Sequence, residues 1–194
     1  MEAHQDQMLS ETEQPNKSPA RPLRPILDVI ETLILSVILF VAIDTVSARV
    51  RVDGSSMEPT LHTGEFVFVN KVTYKLSQPR RGDVIVFHYP RNPQENYIKR
   101  VIGSQGDKVE VRGGKVYVNG QNLQEPYIAA SPNYTDTWTV PEGQLFVLGD
   151  NRNNSSDSHS WGFVPLDYVI GKATFVYWPL ENWGNLEYTA SAAP

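Results

Sequence analysis

The chain has 194 residues and a formal net charge of -5 at pH 7, enough for one domain of ordinary size with a tail and an anchor. The acidic balance offers no basic patch to offset phosphate repulsion, so nucleic acid is not an expected partner. The absence of cysteine removes disulfides, zinc ribbons and thiol nucleophiles together, and the four histidines (His4, His62, His88, His159) lack any ligand spacing such as H-E-x-x-H, so no metal is expected.

In chain order, residues 1–25 are polar and proline-bearing, too poor in large apolar groups to bury a core, and read as a disordered tail. The text then becomes apolar over 26–46. Its uncharged centre, Thr32 to Ile43, would be roughly 18 Å long as a helix against a hydrocarbon thickness of ~30 Å. Crossing a membrane therefore needs the whole stretch, with Asp28, Glu31 and Asp44 near the two interfaces. Three readings compete: a buried helix of a soluble domain, a secretory signal cleaved after Val46-Ser47-Ala48, and an uncleaved anchor. Apolar residues on every face favour a membrane over a soluble core. Lys17, Arg21 and Arg24 ahead of it favour a cytoplasmic N-terminus, with Arg49 and Arg51 on the far side opposing.

From residue 47 to 194 the pattern is β. EFVFVNKV, DVIVFHY, YIKRVIG, KVEVRGGKVYVNG, QLFVLGD and YVIGKATFVYW alternate or run apolar and are rich in β-branched and aromatic residues. Arg112-Gly113-Gly114-Lys115 predicts a tight hairpin joining Val109/Val111 to Val116/Val118. Residues 121–140 are polar and read as a loop-rich excursion. Short antiparallel strands with glycine turns predict a mainly β, barrel-like domain behind one N-terminal helix. Trp161, Trp178 and Trp183 suit either a membrane interface or the core.

Three clusters carry possible chemistry. Ser56 lies in Gly54-Ser55-Ser56-Met57-Glu58-Pro59, a turn stiffened by proline a short way beyond the apolar segment. A serine needs a neighbouring base to attack a carbonyl. His62 and His88 sit in polar turn or strand-end positions, and only His159, in a loop with acids and serines, is a tempting histidine. Lys99 is the sharper alternative: the strand period puts Tyr97, Lys99 and Val101 on one face. Only about one free lysine in 2,500 is neutral at pH 7, but burial lowers the pKa and makes a usable base. Arg100 stays protonated and cannot serve. The third cluster, Gly149 to Ser158, is dense in Asn, Asp and Ser, as either an ordinary turn-rich loop or a rigid platform for catalytic groups.

Taken in order, GSSMEPTL, RRGDVIVF, YIKRVIGSQGDKVEV and GDNRNNSSDSHSWG resemble the bacterial type I signal peptidases, membrane-tethered Ser-Lys proteases, over nearly everything from the anchor to Gly171. The resemblance implies a fold of the signal-peptidase/LexA kind with an extracytoplasmic catalytic domain. It implies Ser56 as nucleophile with its own N–H holding the oxyanion, Lys99 as general base, and Ser155 orienting Lys99. It further implies that Asp150, Arg152 and Asp157 brace the loop and that Met57 packs beside the site. The expected reaction is removal of signal peptides from exported precursors through an acyl-enzyme, without metal or cofactor, by a monomer seated in the cell membrane's lipid bilayer.

The sequence departs from the family pattern at three positions. Gly54 stands where some members carry a serine that completes the oxyanion hole, a donor worth ~2.7–4 kcal/mol. Asn153 replaces the frequent Asp and His159 the frequent Arg of GDNRDNSxDSR, which puts the bracing of the loop in question. Two other readings stand beside this one. A self-cleaving repressor of the LexA kind would need a DNA-binding part that this chain does not show. A non-catalytic membrane-tethered β module would need no Ser56 or Lys99.

Overall fold

The computed structural model describes residues 23–186, so the segment read as a disordered tail lies outside the described residues except for its last three. Those three belong to helix α1 (Leu23–Val46), which tolerates Pro25 because the first-turn N–H has no intrahelical partner. By compactness the chain divides into one unit ending at Phe40 and a second from Val41 onward.

Within Arg24–Val46 an 18-residue window has a mean hydropathy of 2.6 and no buried part, and the leucines, isoleucines and valines of the helix are exposed on every face. A core helix would be covered, so the soluble-helix reading loses its support. At about 36 Å the helix is long enough to cross a bilayer. Its few hydroxyls are satisfied within the helix, Thr32, Ser36 and Thr45 each donating to the carbonyl four residues back at 2.7–2.8 Å.

The second unit is built on two antiparallel sheets. The larger holds β1 (Ser47–Arg51), β2 (Phe66–Asn70), β3 (Val84–Tyr89), β4 (Asn92–Ser104), β9 (Gln144–Leu148), β10 (Val164–Pro165), β11 (Val169–Trp178) and β12 (Gly184–Asn185). Its order is β1-β2-β11-β3-β4-β9-β10, with β12 on β11. The smaller, in the order β7-β6-β5-β8, holds β5 (Lys108–Arg112), β6 (Lys115–Val118), β7 (Gln121–Asn122) and β8 (Asp136–Thr139). Two four-residue helices, α2 (Thr73–Leu76) and α3 (Ser158–Trp161), complete the elements used below.

The expected hairpin is present, with Val109 opposite Val118 and Val111 opposite Val116. The expected mainly β domain of antiparallel sheets behind one N-terminal apolar helix is present, its larger sheet open, with β1 and β10 as its two ends. The stretch 121–140 is mostly turn, yet it supplies β7 and β8 to the smaller sheet, β8 pairing with β5 from Lys108↔Thr139 to Val111↔Asp136. Its strands are short and polar on the outside, which is why the alternation was invisible.

Valine-rich alternation generates three buried clusters. One joins the two sheets through Ile102, Phe146 and Leu148 on one side and Val109, Val111, Val116 and Val118 on the other. A second gathers Val52, Met57, Leu61, Val67 and Val84, with Ile98 packed against it. The third holds Ile85, Phe87, Val101, Val147 and Trp161, with Tyr97 against it. The thirteen-residue β4 contributes to all three. Two cations, Lys99 and Arg100, are thereby fixed between apolar anchors on both flanks. Of the aromatic residues expected at an interface or in the core, Trp161 is buried, whereas Trp178 and Trp183 are exposed.

Candidate active site

The Ser56 turn is held from below by its neighbours. Met57 and Leu61 are buried in the second cluster, and the backbone closes through Glu58 N–H to Ser55 O at 3.2 Å and Leu61 N–H to Met57 O at 3.0 Å. The serine itself stays at the surface of a cleft of about 440 Å³, lined by Val50, Val52, Gly54, Val86, Tyr97, Ile98 and Lys99 among others. Gly54 has φ +95 with open space where a Cβ would stand, so its role is conformational: a side chain there would meet backbone strain rather than a neighbour.

Lys99 enters the same cleft from β4. Its Nζ lies 2.7 Å from Ser56 Oγ and 2.9 Å from the Ile98 carbonyl, with the Tyr97 ring centroid 5.3 Å away. The residue is only 4% exposed. Burial lowers its pKa from 10.5 to about 8, against the opposing pull of the Asp157 and Asp150 charges. Among the described residues no carboxylate forms an ion pair with it.

The loop after β9 is packed against the serine turn. Asn151 N–H donates to Ser56 O at 3.1 Å, Asn151 Nδ2 to Ser55 O at 3.1 Å, and Asn154 Nδ2 to Ser55 Oγ at 3.1 Å. Gly149 permits this approach, because a Cβ there would collide with Ser155 Oγ and the Ser56 carbonyl. The loop is braced by charge. Asp150 takes a two-pronged bond from Arg100 at 2.8 and 2.6 Å, and Thr60 donates to the same carboxylate. Arg152 grips Glu125 at 2.8 and 2.6 Å and donates to Gly149 O. The Tyr127 ring lies 4.0 Å from the Arg100 guanidinium and 5.9 Å from that of Arg152. Asp157 accepts from Gly149 N–H at 2.9 Å and from His159 N–H at 3.2 Å, capping α3.

The structure thus brings together Ser56, Lys99, Met57, Asp150, Arg152 and Asp157. Ser155 is beside them, but its Oγ is buried without a hydrogen-bond partner among the described residues, and the bonds of Lys99 go to Ser56 and Ile98 instead. The two departures from the family loop do not meet each other. Asn153 exchanges hydrogen bonds with Asn133 N–H and Ser131 O, while His159 pairs with Asp157 at 2.6 Å. His62 pairs with Glu65 and His88 lies against Tyr168.

Sequence reasoning missed Arg100 as a structural partner and missed Glu125 and Tyr127 altogether, while Asn151 and Asn154 were seen only as members of the Gly149–Ser158 cluster, without their bonds to the serine turn. Arg100 had a signal, since a buried strand position carrying a cation requires an anion. Glu125 and Tyr127 had none, being 27 and 25 residues from Arg152 in a segment without periodicity.

The family described as signal peptidase, peptidase S26, matches residues 26–178. A signal peptidase I of Leptolyngbya laminosa is 43% identical over 195 residues, covering 91% of this chain and 95% of the relative. A probable signal peptidase I-2 of Synechocystis sp. is 42% identical over 188 residues, covering 93% and 85%. A solved signal peptidase I of Enterococcus faecalis V583 is 40% identical and overlays 50% of this chain and 98% of that one with a TM-score of 0.47.

Proposed function

The chain belongs to the peptidase S26 family of signal peptidases, and from that premise we propose that it removes signal peptides from exported precursors with Ser56 as nucleophile and Lys99 as base. The single observation that carries this reading is the 2.7 Å contact between Ser56 Oγ and a buried Lys99 Nζ with a pKa near 8. An amine so placed is neutral often enough near neutral pH to accept the serine proton.

The substrate enters as an extended strand. The Asn92–Ile98 part of β4 pairs with β3 on one side only, since β9 takes up just Arg100–Ser104, and β1 is an end strand. The cleft lies along these open edges, so an extended peptide can form main-chain bonds there, with small side chains beside Val52, Val86 and Ile98. Ser56 Oγ attacks the scissile carbonyl and passes its proton to Lys99. The developing oxyanion is met by the Ser56 N–H, which donates to no described residue. Gly54 supplies no hydroxyl, so the hole is built from backbone. Lys99 then protonates the leaving amine, and, neutral again, activates the water that hydrolyses the acyl-enzyme.

The helix through Val46 runs into β1 without an intervening loop, which fits an anchored enzyme acting as a monomer outside the cytoplasm on precursors emerging from the same lipid bilayer. The exposed Trp178 and Trp183 suit that surface. The test is cleavage of a purified signal-peptide-bearing precursor in detergent or vesicles. Ser56→Ala and Lys99→Ala are expected to lose cleavage with the fold intact, and cleavage retained by Lys99→Ala would overturn the base assignment.

A further inference from the structure

The carboxylate that most strongly opposes deprotonation of Lys99 is Asp157, and Asp157 has a titratable partner. His159 Nδ1 lies 2.6 Å from Asp157 Oδ1, and the imidazole is stacked on Tyr134 at 4.4 Å and 15°, so its position is fixed from two sides. The side chain remains 26% exposed while Asp157 is fully buried, which gives the proton a route to solvent and the negative charge none. The other oxygen of Asp157 accepts from Gly149 N–H, the residue wedged against the Ser56 carbonyl.

We propose that His159 is a positioning residue for the reaction, whose charge, relayed through Asp157, sets how readily Lys99 gives up its proton. This rests on the Ser56–Lys99 reading and deepens it. With His159 protonated, the Asp157 charge is balanced and Lys99 feels no net anion, so its neutral form is favoured. With His159 neutral, the buried Asp157 charge acts on Lys99 unopposed and holds the proton there. The direct effect of an imidazolium on the ammonium has the same sign. The bond to Asp157 raises the pKa of His159 against its partial burial, which moves its change of charge upward, towards the range in which Lys99 titrates. The other ionisable groups facing this corner are Tyr134, stacked on the imidazole, and Arg152 and Glu125, whose charges reach the Tyr134 hydroxyl and form a pair of their own. Asp150, the second acid acting on Lys99, is tied to Arg100 by two bonds. Asp157 is therefore the acid whose compensation varies with pH.

The experiment is the pH profile of kcat/KM, from about pH 5 to 10, for precursor cleavage by wild type, His159→Arg and His159→Gln. The arginine variant keeps a permanent cation and is expected to lower the midpoint of the rising limb by about 0.3–1 pH unit. The glutamine variant, permanently neutral, should raise it by a similar amount. A purely structural role would instead reduce kcat/KM equally at every pH and leave the midpoint in place. Midpoints that coincide in all three proteins, or that move in the same direction, overturn the inference while leaving Lys99 as base. Cleavage by Lys99→Ala overturns both. Should either variant fail to fold, the wild-type Lys99 Cε resonance decides the question, since it must show a second inflection where the His159 imidazole titrates, and a single step there rejects the coupling.

Discussion

Lys99 and Arg100 are consecutive cations on one strand, both nearly inaccessible to solvent, and the protein treats them in opposite ways. Arg100 donates two short hydrogen bonds to Asp150 and a third to the Gly82 carbonyl, and lies over the face of Tyr127. Lys99, on the other face of the pleat, receives a hydroxyl, a backbone carbonyl and a tyrosine ring, with no carboxylate in contact. A buried charge is tolerable when paired and hydrogen-bonded; left without an anion it shifts its pKa. Arg100 cannot lose its proton, so an unpaired arginine here would be ruinous, whereas lysine can yield. One strand thus carries a structural cation and, on the function proposed above, a chemical one. What separates them is the allocation of nearby acids.

The largest effects come from exchanging those roles. Lys99→Met should lower kcat/KM by about 10²–10⁴-fold through loss of the base. It should also stabilise the fold by about 1–3 kcal/mol at pH 6, because it removes a buried cation without a counter-ion. The sign follows from linkage. The folded state sheds the lysine proton near 8, below the unfolded value of 10.5, so stability rises with pH between those limits, and the full penalty is present below about 8. Denaturant unfolding of wild type and variant at pH 6 and pH 10 measures this, and the gain should vanish at the higher pH. Asp150→Asn should do the reverse, costing about 3–5 kcal/mol by leaving Arg100 unpaired, with a drop in Tm of roughly 10 °C or more. If Asp150→Asn proved harmless to stability, the contrast between the two cations would collapse.

A second test of the contrast is kinetic. Cleavage by wild type should climb about tenfold per pH unit at low pH and level off above about 8, the range set by burial of Lys99. A profile flat from pH 6 to 9 would mean that no group with the titration of Lys99 limits the reaction.

The two cations also mark how far the sequence could be read. The face assignment of Tyr97, Lys99 and Val101 needs only the period of two, and the structure keeps it, with Tyr97 and Val101 in one cluster. Ser56 was legible from its stiff turn and the segment before it. The partner of Arg100 was not, because Asp150 lies 50 residues away and any of several acids could have reached it. Glu125 was hidden more deeply: the segment 121–140 has no pattern that separates a brace from an ordinary turn, and only the fold shows that it grips the loop carrying Asp150 and Asp157. Glu125→Gln should therefore destabilise by about 1–3 kcal/mol, since it leaves Arg152 with a neutral partner, a smaller loss than at Asp150 because Glu125 keeps 5% exposure where Asp150 has none.

The smallest expected effect falls on Ser155, where the family resemblance and the geometry point different ways. The resemblance gives its hydroxyl the task of orienting Lys99, yet the Oγ is buried with no partner while Lys99 is already held by Ser56 and Ile98. Removing an unsatisfied buried hydroxyl relieves a desolvation cost, so Ser155→Ala should leave stability unchanged or raise it by up to about 1 kcal/mol. Because Lys99 keeps both its bonds, kcat/KM should fall less than about tenfold. A loss well beyond that, with Tm intact, would place the Ser155 hydroxyl on Lys99 during the reaction. It would mean that once Ser56 Oγ turns to the substrate, Ser155 takes over the lysine. The chemical cation would then be held by two serines in succession, and the structural one by a single carboxylate throughout.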